Sequence, residues 1–338
     1  MVMTRTILCE EISEDIGSVE LREVELAVPG QGEIQVALKA CSVNFPDLLM
    51  IQGKYQFKPP MPFAPGGEAA GDVVACGEGV TEFSVGDRVV LAMRYGGFAE
   101  HINVKVAEAR PIPDGVDYAK AAAYQTAYLT AYVALARRGD LQAGETLLVH
   151  GATGGVGMAA VDLGKQLGAT VIATGGRDDK LAVVKEKGAD HVLNYTQADG
   201  SLGGFKDKVK ELTDGRGADV IYDPVGGDVF DESMRCINWG GRILTIGFTS
   251  GRWPQAPVNL ILIKQIAVIG VRAGEYGRRD PTKGKENDDA LYGMLERGDI
   301  DPYISHALPL EEAVAAMRLL ENREVIGKAV VTMNGYQP

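Results

Sequence analysis

The sequence predicts an α/β protein with two architectures in one chain: a parallel, doubly wound sheet, and a small, partly open β-barrel. Three observations carry this expectation. Between about residues 145 and 271, short apolar runs alternate with helical segments, which is the signature of repeated βαβ units. Those runs are apolar almost throughout, as strands are when helices cover both faces of their sheet. From about Arg5 to Asn103, by contrast, short alternating strands are separated by dense glycine and proline punctuation. The 338-residue length agrees with two domains, because single cores stop growing at ~250–300 residues.

In the first part, strands are expected at 34–40, 70–76 and 88–93. They are set off by Pro29-Gly30, Pro65-Gly66-Gly67, Gly86-Asp87 and Gly96-Gly97. The period then changes, and residues 119–138 read as one alanine-rich helix ending at Gly139. Next come a strand at 145–150, a helix at 155–167, a strand at 169–174 and a helix at 178–187 closed by Gly188. A strand at 190–194, a helix at 205–213, a strand at 218–223, a helix at 228–238, and strands at 241–247 and 265–271 follow. Residues 273–289 are polar and charged and read as a mobile loop. Helices at 288–297 and 310–321, the segment 303–308 and a strand at 328–333 end the chain. This tail has no nucleotide signature and is expected to return to the first domain.

The net charge of −12 repels phosphate backbones, so nucleic acid is a poor general partner. The cysteines, Cys9, Cys41, Cys76 and Cys236, are scattered and read as reduced thiols. The start MVMTRTILCEE lacks a secretory pattern, and no apolar run approaches the ~20 residues of a membrane span. A cytoplasmic location is expected.

The strongest motif is Gly151-Ala152-Thr153-Gly154-Gly155-Val156-Gly157, between an apolar strand and a helix. Glycines let the backbone turn sharply and approach a pyrophosphate, and the helix start offers N–H groups and a positive dipole end. Thr153, Gly154, Gly155 and Val156 are therefore expected to bind a dinucleotide. The tip of the second strand, Thr174-Gly175-Gly176-Arg177-Asp178-Asp179-Lys180, lacks the acid that holds a ribose in NAD sites. Arg177 and Lys180 can pair with a 2′-phosphate, which favours NADPH. Asp178 and Asp179 can instead cap the following helix.

With these residues in view, the chain resembles the zinc-free branch of the medium-chain dehydrogenase/reductase superfamily, the quinone oxidoreductase or zeta-crystallin-like family. The resemblance rests on Asn44-Phe45-Pro46-Asp47, Gln52-Gly53-Lys54-Tyr55, Pro65-Gly66-Gly67-Glu68-Ala69-Ala70-Gly71, Gly86-Asp87-Arg88-Val89, the 151–157 turn, Asn194-Tyr195, Asp223-Pro224-Val225-Gly226-Gly227 and Gly327-Lys328. It implies a GroES-like catalytic domain (1–126 and 267–338), an inserted Rossmann NADPH-binding domain (127–266) and a cleft between them. It also implies a homodimer through edge strands near 265–271. Zinc relatives carry Cys where Asn44 stands and His where Gly67 stands, and neither Asn nor Gly replaces such a ligand. No metal is expected.

The resemblance further implies that Asn44 and Thr130 meet the nicotinamide end, that Tyr195 lies near the adenosine phosphate, and that Phe248 lines the nicotinamide pocket. Val225 and Lys328 are implied as further cofactor contacts, beside Gly175. The implied reaction is NADPH-dependent hydride transfer to a quinone or an α,β-unsaturated carbonyl. Tyr55 is the candidate proton donor, because related enoyl-thioester reductases carry a Tyr in the matching stretch. Arg94, Tyr95 and Gln125 are weaker candidates for the substrate cleft. Arg278 and Arg279, on the charged stretch, can meet an acidic acceptor such as a coenzyme A thioester. Two other readings stay open: an enoyl-thioester reductase, and a non-catalytic NADPH-binding or RNA-binding crystallin-like protein.

Overall fold

The computed structural model describes residues 2–338. Strand β1 (Val2–Leu8) pairs antiparallel with β2 (Glu20–Leu26) along its whole length, from Val2↔Leu26 to Leu8↔Glu20. Strand β3 (Glu33–Ser42) then leads into a short helix, α1 (Phe45–Ile51). Pro46 lies in the first turn of α1, where no helical N–H is lost. Strands β4 (Glu68–Cys76), β5 (Arg88–Ala92), β6 (His101–Lys105) and β7 (Ala109–Pro111) follow. Helix α2 (Tyr118–Ala123) starts on Asp117, whose side chain accepts from the Lys120 N–H at 2.9 Å.

The single helix expected at 119–138 is broken. Helix α3 (Gln125–Tyr132) begins after the buried Tyr124. A π-turn over Val133–Arg138 ends at Gly139, whose N–H reaches the Ala134 carbonyl at 2.7 Å. The chain passes from one compact unit to the other between Gln125 and Thr126, at that break.

The alternation that follows is as expected: β8 (Thr146–Val149), α4 (Gly155–Gln166), β9 (Thr170–Gly175), α5 (Asp178–Glu186), β10 (His191–Asn194), α6 (Lys206–Leu212), β11 (Ala218–Asp223), α7 (Gly227–Cys236) and β12 (Ile237–Thr245). A further helix, α8 (Val258–Lys264), precedes β13 (Ala267–Gly270). The six strands form one parallel sheet in the order β10-β9-β8-β11-β12-β13. The order reverses between β8 and β11, and in such sheets the crevice beyond the strand ends at the reversal takes the ligand. Leu147, Leu148, Val149, Val220, Ile221 and Ile243 are fully buried, which matches strands covered on both faces.

Residues 273–289 are helical rather than a loop: α9 (Ala273–Arg279) and α10 (Pro281–Arg297). Asp280 accepts from the Lys283 N–H at 3.1 Å and Pro281 fills the first turn, so α10 starts well before residue 288. Glu275–Arg279 and Lys285–Asp289 form i,i+4 ion pairs along the two helices. The compact units also correct a boundary. The second unit runs from Thr126 to Ile300, and the chain rejoins the first unit at Asp301 rather than at 267. Strand β13 completes the parallel sheet, and α9 and α10 stay with it.

The returning segment supplies β14 (Ile304–Pro309), α11 (Ala313–Glu321) and β15 (Lys328–Thr332). Strand β15 pairs antiparallel with β3 (Val331↔Cys41) and parallel with β14. The resulting sheet has the order β14-β15-β3-β4-β5-β7, with β6 also on β3. Val36, Leu38, Val73, Leu91, Phe98, Met317 and Val331 fill its core. Among the described residues, no helix is long and apolar enough to cross a membrane.

Candidate functional site

Strand β8 ends at Val149 and runs through His150 into the glycine turn. Gly151 has φ 56°, and a Cβ on Gly157 would lie 2.3 Å from the Gly151 carbonyl oxygen. Only glycine at 157 lets α4 start this close to its own turn. The close helix–strand contact is made two turns later, where a Cβ on Gly164 would lie 2.5 Å from a Leu147 methyl. Gly154 is the N-cap of α4 and offers no side-chain cap, and the first intrahelical acceptor, the Gly154 carbonyl, serves Met158 at 2.8 Å. The N–H groups of Gly155, Val156 and Gly157 thus have no intrahelical partner and face the region beyond the helix start.

The turn after β11 meets this one at the strand reversal. A Cβ on Gly151 would sit 3.3 Å from both Pro224 Cγ and Val225 Cγ2. Asp223 shapes that second turn: its Oδ1 accepts from the N–H groups of Val225 (2.8 Å) and Gly226 (2.9 Å). Gly226 sits at φ 69°, ψ −155°, a region only glycine adopts readily. The other oxygen, Oδ2, is buried without a partner among the described residues. Burial raises the Asp223 pKa to about 6, against the two N–H bonds that lower it.

Beneath the turns lies a buried polar chain. The Ser233 hydroxyl donates to the Val229 carbonyl at 2.7 Å, so it accepts from His150 Nε2–H at 2.8 Å; Nδ1 then accepts from the Thr174 hydroxyl at 2.7 Å. Burial lowers the His150 pKa to about 3, so the imidazole is neutral and ties β8 to β9 and α7.

At the tip of β9, Gly175 and Gly176 leave room for neighbours. A Cβ on Gly175 would lie 3.0 Å from the Thr153 methyl, and one on Gly176 would lie 3.8 Å from the Tyr195 ring. Tyr195 follows β10 and donates its N–H to the Gly175 carbonyl at 3.0 Å. Arg177 is the N-cap residue of α5 and pairs with Asp179 through bonds of 3.0 and 2.6 Å, both side chains about 60% exposed. Lys180 is 5% exposed, so it does not lie on a solvated helix start. Neither Asp178 nor Asp179 caps α5: Asp178 accepts from Asn194 at 3.0 Å, and Asp179 holds Arg177. The structure therefore gathers Thr153, Gly175, Arg177, Lys180 and Tyr195 at one end of the sheet. Phe248, after β12, is half-exposed and covers Gly226, whose Cβ would lie 3.0 Å from its ring. Thr130, on α3, donates its hydroxyl to the Thr126 carbonyl in its own helix at 2.7 Å.

In the first unit, Asn44, Glu68 and Lys328 meet. Lys328 Nζ donates to Asn44 Oδ1 (2.6 Å) and Glu68 Oε1 (3.0 Å), and Asn44 Nδ2 donates to the same Glu68 oxygen at 2.9 Å. Asp47 pins the backbone beside them, accepting from the N–H groups of Asn44 (2.8 Å) and Gly66 (3.0 Å). Burial raises the Asp47 pKa to about 7. Asn44 and Lys328 were expected to serve the site; Glu68 and Asp47 were not. The available signal was two acids within strongly apolar or glycine-rich stretches, a setting in which a carboxylate needs a partner.

The same geometry tests the fit of a zinc ion. A Cβ on Gly67 would stand 3.5 Å from the nearest atom, so a side chain fits there, but none is present. Asn44 offers no strong ligand, and the neighbouring ammonium repels a dication. Among the described residues, no three His, Cys, Asp or Glu side chains gather where a metal could be held. These residues do not fit a catalytic zinc.

Tyr55 follows α1 and is half-buried against the core of the first unit, its N–H on the Leu49 carbonyl at 3.1 Å. Tyr95 stacks on Phe57 at 6.1 Å and meets Phe63 edge-on at 6.3 Å. The Arg94 guanidinium lies 4.6 Å over the Phe57 ring. Gln125 is partly buried where the chain leaves the first unit. Arg278 and Arg279 belong to α9 and both pair with Glu275, at 3.1 and 2.8 Å.

Comparison with known proteins bears on both units. Residues 30–114 match the alcohol dehydrogenase GroES-like domain family, and residues 155–284 match the zinc-binding dehydrogenase family. The chain is 37% identical to a quinone oxidoreductase-like protein 2 homolog of Nematostella vectensis, over 97% of this chain and 88% of that one. It is 35% identical to a quinone oxidoreductase of Pseudomonas aeruginosa, over 93% and 95% of the two chains. The crystal structure of Escherichia coli quinone oxidoreductase complexed with NADPH superposes with a TM-score of 0.85 at 30% identity, covering 97% of this chain and 99% of that one.

Proposed function

The chain belongs to the quinone oxidoreductase family of the medium-chain dehydrogenase/reductase superfamily, and from that premise we propose that it is an NADPH-dependent reductase acting on quinones or α,β-unsaturated carbonyls without a metal. The observation that carries the cofactor reading is the pair of turns at the strand reversal, with uncapped α4 N–H groups beside an acid-free β9 tip bearing Arg177. NADPH, when bound, supplies the hydride.

The chain's own residues then have separable tasks. The first turn of α4 binds the pyrophosphate through backbone N–H groups, which needs the close approach that glycine allows. Arg177, with Lys180 and Tyr195 nearby, takes the 2′-phosphate. Val225 and Phe248 line the nicotinamide side, and Thr130, in the same unit, orients that end. An electron-poor acceptor develops negative charge on oxygen as it takes hydride, and fixed hydrogen-bond donors lower the barrier. Tyr55 holds a proton on Oη and delivers it to the reduced acceptor.

The test is steady-state NADPH oxidation with benzoquinone, a simple enone and a crotonyl thioester. Turnover with quinone or enone is expected, and Tyr55→Phe should lower the enone rate by about 100-fold with NADPH binding unchanged. Tight NADPH binding with no turnover on any acceptor would show a non-catalytic binding protein. Preference for the thioester over both others would show an enoyl-thioester reductase. An unchanged rate in Tyr55→Phe removes the proton-donor role alone.

A further inference from the structure

Glu68 and Lys328 are 1% and 6% exposed and come from strands far apart in sequence. With Asn44 they form a closed ring of hydrogen bonds: Nζ to Asn44 Oδ1 at 2.6 Å, Nδ2 to Glu68 Oε1 at 2.9 Å, and Nζ to that same oxygen at 3.0 Å. The ring admits one orientation of the Asn44 amide, since the reverse would set its NH2 group against the ammonium. Asp47 fixes the backbone on both sides, at Asn44 and Gly66. A buried ion pair of this kind is a poor source of stability, because packed apolar side chains of equal volume hold a fold as well or better. An ammonium carries three N–H donors, and the ring uses two of them.

We infer that Lys328 is the fixed cation of the reaction, with its remaining N–H serving the oxygen that gains charge when the acceptor takes hydride, and that Glu68 is the positioning residue that holds it. This rests on the reductase reading and gives the site its electrostatic element in place of a metal. Hydride and its electron pair pass to the acceptor, the charge moves onto the acceptor oxygen, and Lys328 donates a hydrogen bond without giving up its proton. The proton that completes the reduction comes from Tyr55 or solvent. Glu68 touches no reactant. It keeps the buried ammonium paired and the Asn44 amide in register.

The test compares Glu68→Gln, Lys328→Met and the double variant in the full-length protein. It follows Tm, the NADPH Kd by fluorescence titration, and kcat and KM with the best acceptor of the panel. Each single variant strands a buried group and should lower Tm, whereas the double variant removes both charges and should recover it. In the double variant kcat should stay at least about 100-fold down, with the NADPH Kd within about threefold of wild type. A double variant with recovered Tm and near-wild-type kcat would show the pair to be structural and overturn the inference. An NADPH affinity loss as large as the kcat loss would also overturn it, moving the cluster to the cofactor. Absence of wild-type turnover removes the reductase reading, and this inference with it. Wild-type turnover beside an active double variant removes this inference alone.

Discussion

Arg177 and Asp179 hold one another at the tip of β9 in a pair that is open to solvent. Such exposed pairs contribute little, so the guanidinium is cheaply re-partnered. A 2′-phosphate brings more charge and several acceptors to the same fork. Arg177→Ala is therefore expected to raise the Kd for NADPH about tenfold while leaving that for NADH within about twofold. Fluorescence titration with both nucleotides measures this, and equal losses would refute the assignment. Lys180 is a less clean probe. It is buried and has a partner in the fold, so its removal also disturbs packing. The sequence showed that the tip lacks an acid, but not that one cation of the pair is solvated and the other is not. Exposure depends on how α5 lies against β9 and β10.

The decisive element is β8, its turn and α4. A Cβ at 157 collides with the Gly151 carbonyl, while one at 154 meets only that oxygen at 3.6 Å. Gly157→Ala should lower both Tm and NADPH affinity, the latter by more than about tenfold, because the turn itself must shift. Gly154→Ala should keep Tm near wild type and lose NADPH affinity. Thermal melts beside nucleotide titrations separate the two, and a normal Tm in Gly157→Ala would contradict the close approach. This element was legible because glycine spacing and apolar period are local. Helices α9 and α10 were not. Gly277, Pro281 and Gly284 read as loop punctuation, yet Pro281 starts a helix, and a Cβ on either glycine would lie 3.0 Å from the other's Cα. Only Asn287, Leu291 and Leu295 of α10 are buried, too thin a stripe for the period to show in a charged stretch.

At the scale of the whole molecule, β13 ends the parallel sheet as an edge strand, with Val268 exposed. On α8, just before it, Leu262 is 77% and Ile263 69% exposed. An unpaired apolar edge is a liability in a monomer, and a second copy pairing through the same edge would cover it isologously. Size-exclusion chromatography with light scattering should show a dimer, and Val268→Lys should shift it toward monomer. A wild-type monomer at all concentrations would end this reading.

From the sequence alone came the alternation of apolar strands and helices, the glycine turn with its helix, and the acid-free strand tip, all set by backbone period and neighbouring residues. Tertiary structure alone decided three things. It put residues 267–300 with the parallel sheet, because membership of a sheet is settled by pairing. It closed His150, Thr174 and Ser233 into one neutral polar chain. It brought Lys328 to Glu68, 260 residues away, because β15 reaches the sheet next to β3 only after the whole second unit has been inserted between them.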